Sequence, residues 1–335
     1  MKINGATELA RMQSFQRRAA SIENALDTTS KELSSGIKSD LHKATGGNLG
    51  KLHAIERTLA KNIAYDRNIN FLELRVDGAQ NALGLIQEPL DALSVDLVSA
   101  AGVGDYLSST TLAATARLDF KSAVSALNIE VNGQTIFGGA AVDRQALAGG
   151  EAILAKLDAA VAGAATAADV ITAIDTYFAP GGEFVTNDFL GSATDMGAAD
   201  VGAGVRISYN ARADDAEIVS VLKALALASV VAGGALAGNQ NEQMAVLSEA
   251  GAQLLEAKEG LLDYRGNLGV TQQNIESSKA RSVAESGTLE LARAKLIEAD
   301  PAETATFFEA LEAQLKAVYT VTTRLSDLSF INFMR

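Results

Sequence analysis

Apolar residues recur at alternating steps of three and four over much of this chain. Near the start, Met12, Phe15, Ala19, Ile22, Leu26, Thr29 and Leu33 follow that rule. The spacing predicts a helix over residues 5–35 that keeps one stripe turned toward a partner helix. Arg11, Arg17, Arg18, Glu23, Lys31 and Glu32 lie off the stripe. Gly36 follows its last member and suits the left-handed turn that closes a helix. Residues 36–50, rich in Gly, Ser and Asp, read as a connector. A second helix is expected from Lys51. In it Ile69, Leu72, Val76, Ala79, Leu83, Ile86, Leu90, Leu93 and Leu97 keep the alternation unbroken. As helix, this run spans about 43 Å. Pro89 falls inside it, lacks a backbone donor and crowds the carbonyl of Leu85, so a kink or break is expected there.

Further along, residues 108–127 predict another helix, with Leu112, Leu118, Phe120, Val124 and Leu127 on its apolar side. The period then changes to two. Ile129, Val131, Thr135 and Phe137 flank Asn132-Gly133, a strong hairpin signal. Residues 140–204 are low in complexity and rich in Ala, Gly, Asp and Thr. Helices are expected at 150–162 and 167–178, and short strands around Phe184-Val185 and over 205–209. Helix resumes over 215–236 and again from Glu242. There Leu247, Leu254, Leu261, Leu268 and Ile275 recur every seven residues. The accompanying row, Met244, Gly251, Lys258, Arg265 and Gln272, is half polar, which predicts packing against several neighbours rather than one tight partner. The last helix opens with Asp300 at the N-cap, Pro301 at the first helical position and Glu303 completing a capping box. Phe308, Leu311, Leu315, Val318, Thr322 and Leu325 then form a seam. Leu328, Phe330, Ile331, Phe333 and Met334 follow it. Ends of chains are usually polar and frayed. An apolar one predicts burial in a partner.

Composition narrows the function. The chain has 335 residues, 48% of them hydrophobic, which is not the composition of a disordered chain. It has no cysteine, so disulfides, thiolate metal sites and cysteine nucleophiles are excluded. The net charge of -13 is uneven. Residues 1–80 carry 12 basic and 9 acidic groups, residues 81–243 carry 7 and 19, and residues 244–335 carry 9 and 13. The acidic middle reads as a solvated surface. The absence of a basic cluster argues against nucleic acid as a partner. The longest apolar run, Ala224 to Gly238, is interrupted by Ser229 and is 15 residues long, too short to span a bilayer. No cleavable signal is expected, because the first residues lead directly into a polar helix.

Candidate chemistry is sparse. His42 and His53, the only two histidines, match no zinc or metalloprotease spacing. Asp214, Asp215 and Glu217 sit at an expected helix start, where carboxylates interact favourably with the helix dipole. Gly36, Gly46, Gly47 and Gly50 lack the Gly-Lys-Ser/Thr ending of a phosphate loop. Gly202-Ala203-Gly204 leads into an expected strand, the wrong order for a dinucleotide fingerprint. No catalytic residue, metal ligand or cofactor site is assigned. The candidate functional residues are the apolar seams: Met12, Phe15, Ile22, Leu26 and Leu33 at one end, and Phe308, Leu311, Leu315, Val318, Leu325, Leu328, Phe330, Ile331 and Phe333 at the other. They read as subunit-interface positions.

Three segments resemble one family. Leu33-Ser34-Ser35-Gly36-Ile37-Lys38 resembles the Leu-Ser-Ser-Gly-x-Arg/Lys signature that closes the first helix of bacterial flagellins and their relatives. Asn132 to Gly139 resembles the hairpin motif of that superfamily. Arg265 to Glu276 resembles its Arg-x-x-Leu-Gly-x-x-Gln-Asn-x-x-Glu segment, with one residue more before the acidic end. The ending from Arg324 to Met334, and Asp300-Pro301 before the last helix, are more similar to the hook–filament junction proteins (the third hook-associated proteins) than to filament flagellins. Ser39-Asp40-Leu41-His42-Lys43 departs from the flagellin pattern of Asn-x-Ala-x-Asp-Asp.

The resemblance implies a mainly α fold with a small β component. Its N- and C-terminal segments would form a long antiparallel coiled-coil-like helical shaft, with a hairpin and a small α+β outer domain. It implies a terminal coiled-coil domain of residues 1–42 and 300–335, partly disordered in the monomer. A shaft domain of 43–138 and 205–299 and an outer variable domain of 139–204 would complete the chain. It further implies a structural, non-enzymatic part of the extracellular flagellum, joining hook to filament and exported without a cleavable signal peptide. Its partners would be lateral copies of itself, the adjacent hook-side junction protein, flagellin and a flagellar export chaperone, with no membrane insertion. A filament-forming flagellin and a secreted helical adhesin or binding module stand as alternatives.

Overall fold

A computed structural model describes the backbone of residues 3–333 and the side chains of residues 10–324. The chain divides into two compact units, residues 1–62 with 283–335, and residues 63–282. In chain order the helices are α1 (Ile3–Ser35), α2 (Leu41–Ala44), α3 (Gly50–Gly102), α4 (Tyr106–Leu127), α5 (Gly150–Val161), α6 (Ala167–Phe178), α7 (Ala216–Ala232), α8 (Gln240–Ile297) and α9 (Pro301–Phe333). Two antiparallel two-stranded sheets, β1–β2 (Glu130–Val131, Gln134–Thr135) and β3–β4 (Ala199–Gly202, Val205–Ile207), complete a mainly α fold with a small β component.

In the unit of residues 63–282, the unbroken three–four run on α3 is the buried face: every member from Ile69 to Leu97 lies in the core. The heptad row Leu247–Ile275 on α8 is buried in the same cluster. α4 packs along α7, and α5 and α6 pack on α7 in turn. α7 is apolar almost all round because it is covered on several sides, which explains the long apolar run of the sequence.

The half-polar row of α8 finds polar partners within the chain. It meets α3 of its own chain in an antiparallel ladder. Lys258 pairs with Asp91 at 2.8 Å, Arg265 Nε donates to Gln80 Oε1 at 3.1 Å, and Gln272 donates to Asp77 at 3.0 Å. Lys279 pairs with Glu73 at 2.6 Å, and Ser282 donates to Asp66 at 2.6 Å. As the number falls on α3 it rises on α8, so the ladder also sets their register. Gly251 lies at a close point of this crossing, where an added Cβ would stand 3.0 Å from Val98 Cγ2.

Pro89 does not break α3, which runs on to Gly102. The carbonyl left without a donor belongs to Leu85, an exposed residue, so water can satisfy it. The hairpin forms where expected, with Asn132 at φ 53° and Gly133 at φ 71°, the pair of positive values that a type I′ turn requires. Its strands are only two residues each, shorter than the alternation predicts, because Ile136 and Phe137 turn into the core instead. Gly78 lets α3 approach it: a Cβ there would meet Val131 Cγ2 at 3.0 Å.

Helices α5 and α6 appear within a residue of the expected bounds, and α6 carries a full capping box at Thr166 and Asp169. Phe184-Val185 is not a strand. Residues Phe184–Asp188 form one turn of π-helix. That turn buries the Asp188 carboxylate, which accepts from Lys156 Nζ at 2.7 Å and from the Tyr177 hydroxyl. A flat strand would leave that carboxylate without its two donors. Strand β4 stops at Ile207, two residues short of the expected end, and Tyr209 is buried beyond it.

In the unit of residues 1–62 with 283–335, α1 packs against α9. An isolated bridge joins Ile37 to Glu298, and Lys38 N–H donates to the Ile297 carbonyl at 2.8 Å. Farther along, the Tyr319 hydroxyl donates to Glu23, so the pair is antiparallel. Gly36 closes α1 at φ 68°, as its place after the seam predicts. Asp300 caps α9 by accepting from Ala302 N–H at 2.8 Å. Segments of α3 and α8 also meet here, with Asn62 donating to Ser286 at 3.2 Å and Arg293 pairing with Glu56 at 3.9 Å.

Candidate assembly surface

The two terminal stripes meet each other. On α1, Phe15, Ala19, Ile22 and Leu26 are half-buried and Thr29 is buried. On α9, Phe308, Leu315 and Val318 are half-buried, and Leu311 is buried at 6% exposure. A two-helix pair covers each helix along one side only. The seam residues are therefore screened by the opposite helix but not enclosed by it. Met12 and Leu33, both read as seam positions, remain 47% and 43% exposed. Leu325, Leu328, Phe330, Ile331 and Phe333 lie outside the residues whose side chains are described.

The sequence reading missed a second set of exposed apolar groups on the same helices. Phe307, Tyr319 and Val321 flank the α9 seam and face solvent. Met12 and Leu33 on α1, and Ile37 just beyond its end, are exposed as well. The signal of Phe307, Tyr319 and Val321 was readable as apolar positions one step off the seam, which a three–four count discards.

Between α1, α2 and the start of α9 lies an open groove of about 1210 Å³. Small side chains line it, including Ala25, Thr28, Ala44, Thr304 and Ala310, with Phe307 as its one aromatic wall. Asp40 and Asp300 at its rim are spent as helix caps, on Lys43 N–H and Ala302 N–H. Hydrogen bonding to Glu23 raises the Tyr319 pKa above the ordinary phenol value.

His42 and His53 are exposed, with His53 3.5 Å from Glu56. Asp214 and Asp215 surround Arg212, which also pairs with Asp195 at 2.6 Å. Tyr264 donates to Asp215 Oδ2 at 2.6 Å. Burial raises the Asp215 pKa despite these donors. This network pins the chain returning from β4 to the start of α7. Among the described residues there is no cluster of three His, Cys, Asp or Glu side chains able to hold a metal. Among the same residues no helix is long and apolar enough to cross a membrane.

Compared with known proteins, the sequence matches no family model and no curated protein. The structure aligns with the crystal structure of Bacillus cereus FlgL at a TM-score of 0.51 and 16% identity. That alignment covers 72% of this chain and 100% of FlgL. The chain has an FlgL-like fold. A Vibrio parahaemolyticus protein assigned as a flagellar hook-associated protein aligns over 71% of this chain and 95% of its own, at 15% identity and a TM-score of 0.39. The FlgL-like fold rests on the first of these alone.

Proposed function

We propose that this chain is a structural subunit of the bacterial flagellum, placed where hook meets filament, and that it works by helical packing of subunits through its terminal helices. The observation that carries this reading is the α1–α9 pair, whose seam is screened on one side and whose flanks carry exposed Met12, Leu33, Phe307, Tyr319 and Val321. Neighbouring copies would cover these groups. Each large aliphatic or aromatic side chain fully covered contributes about 1.5–3 kcal/mol. Met12, Phe15, Ile22, Leu26, Leu33, Phe308, Leu311, Leu315, Val318, Leu325, Leu328, Phe330, Ile331 and Phe333 are the proposed interface positions.

Two further points support the reading. The fold is similar to that of FlgL, the hook-associated protein 3 of the hook–filament junction. The chain's ending and its Asp300-Pro301 step are similar to the same branch of the superfamily. On this reading residues 1–42 with 300–335 form the inner assembly domain and 139–204 the outermost part. The hook-side junction protein and flagellin are the axial neighbours, further copies the lateral ones. Export is through the flagellar channel, with a chaperone on the C-terminal helix beforehand.

Deleting Ser326 to Arg335 tests the proposal. The purified truncation is expected to keep the fold of residues 63–282 while the cells lose filament attachment and motility. Normal swimming would refute the terminal role. A filament-forming flagellin is the competing reading, and immunogold labelling of isolated flagella separates the two. A band at the filament base supports the junction, and staining along the length supports the filament.

A further inference from the structure

The charges of the α1–α9 pair are sorted along its length. Residues 10–22 on α1 and 316–324 on α9 carry five basic groups, Arg11, Arg17, Arg18, Lys316 and Arg324, and no acidic one. Residues 23–35 and 298–315 carry eight acidic groups and one basic group, Lys31. All of these except half-buried Glu32 are exposed. The helices run antiparallel, with Tyr319 on Glu23 near the boundary. The two basic stretches therefore lie side by side, and so do the two acidic ones. The connector after α1 adds Lys38, Asp40 and Lys43, which leaves the acidic half clearly negative. About 20 Å of helix separates the centres of the two halves. That is more than two Debye lengths at physiological salt, so opposite charges within one copy are largely screened from each other.

Charge patterns of this kind choose a partner and its register. Two parallel copies laid side by side in register would set basic on basic and acidic on acidic. A shift of about 20 Å along the axis sets the basic half of one copy on the acidic half of the next. The same shift brings Met12, Tyr319 and Val321, exposed in the basic half, toward Leu33 and Phe307, exposed in the acidic half. We propose that the α1–α9 pair docks a second copy of this chain, parallel to itself and displaced by about 20 Å along the helix axis. The inference rests on the assembly reading above and adds to it which surfaces meet and in what register. The copies point the same way because a joint between two different polymers has two different ends. The two docking surfaces are unlike, so each contact leaves a half free for the next copy. Such contacts build a ring or a helix rather than a closed pair.

Charge reversal tests the register. Cells export tagged full-length parent together with the triple variant Arg11→Glu, Arg17→Glu, Arg18→Glu. The ratio of the two in sheared flagella is divided by their ratio in the culture medium, which removes differences in export. In the shifted arrangement the reversed half meets the acidic half of a parent copy. The variant is then expected to be about ten-fold under-represented, from three exposed charge pairs turned repulsive. Copies packed in register would instead set the reversed half on a basic one. Incorporation at par or above would therefore overturn the inference while leaving the assembly reading intact. A second triple variant, Asp27→Lys, Glu309→Lys, Glu312→Lys, guards against a folding defect. Exported together without parent, the two variants offer each other opposite charges, and their combined amount per flagellum is expected to return to about that of the parent. If the arginine variant stays excluded in that mixture, its loss is not one of charge pairing and the inference fails. A closed two-fold dimer of the purified parent, seen by light scattering, would also overturn it. Absence of the parent itself from flagella would refute the assembly reading, and the inference with it.

Discussion

Leu315 sits half-buried on α9 in the α1–α9 pair, and Leu315→Ala separates what the chain covers from what a neighbour must cover. A fully buried leucine contributes about 1.5–3 kcal/mol, so a half-buried one realises roughly 1 kcal/mol inside the chain. About the same amount remains for a neighbouring subunit. Truncation opens no closed cavity at such a position, so no cavity penalty is added. Leu254→Ala is the contrast: Leu254 is 0% exposed in the core of residues 63–282, and its truncation costs about 2–5 kcal/mol in the isolated protein. Denaturant melts of the purified variants give the first half of the test. The second half is competition. Cells exporting tagged parent and variant together are sheared, and the ratio in purified flagella is measured by mass spectrometry. The Leu315 variant is expected to be about five-fold under-represented, from the 1 kcal/mol it withholds from its neighbour. The Leu254 variant should incorporate at par at temperatures where it remains folded. Incorporation of Leu315→Ala at par, or a loss in the isolated protein as large as that of Leu254→Ala, would refute the division between inner and outer cover.

Three further outcomes are expected. Gly251→Leu should destabilise the purified protein by about 1–3 kcal/mol through overpacking against Val98, while Gly266→Ala, whose Cβ meets nothing within 4 Å, should raise stability by up to about 1 kcal/mol; urea midpoints decide both. Burial raises the phenol pKa of Tyr177, Tyr209 and Tyr264, and in Tyr177 and Tyr264 the neighbouring carboxylates Asp188 and Asp215 raise it further. These groups stay protonated in the folded state after the unfolded chain has begun to ionise. Their contribution is therefore complete below about pH 10 and is lost as pH rises from there toward the raised folded values. Absorbance at 295 nm should show these three titrating only as the protein unfolds, and early titration of all six tyrosines would contradict it.

The periodic runs were legible because helix and burial share one period. The core face of α3 and the Leu247–Ile275 row of α8 are the positions that the three–four and seven-residue counts select. The Asn132-Gly133 turn and the Asp300 cap were legible for a local reason. Positive φ at two successive residues, or an orphan N–H at a helix start, is settled by the few residues around it. The π-turn at Phe184–Asp188 was not, because its cause lies elsewhere: Lys156 and Tyr177 supply the donors that draw Asp188 inward. Arg75 gave no signal at all, since a lone arginine on a helix reads as solvent-facing until the hairpin and Tyr209 close over it.

For this chain, then, local sequence decides where helices run, which side of each is apolar, where they cap and where the hairpin turns. Those outcomes depend on interactions among residues a few positions apart. Tertiary structure alone decides who covers each apolar side. It pairs the polar row of α8 with residues on α3 some 160–220 positions away in the chain, an internal ladder that the row's own spacing does not specify. It also sets the stripe of α1 on that of α9 and leaves their flanks bare. Both stripes carry the same period, and a period says that a helix has a face to bury without saying against what.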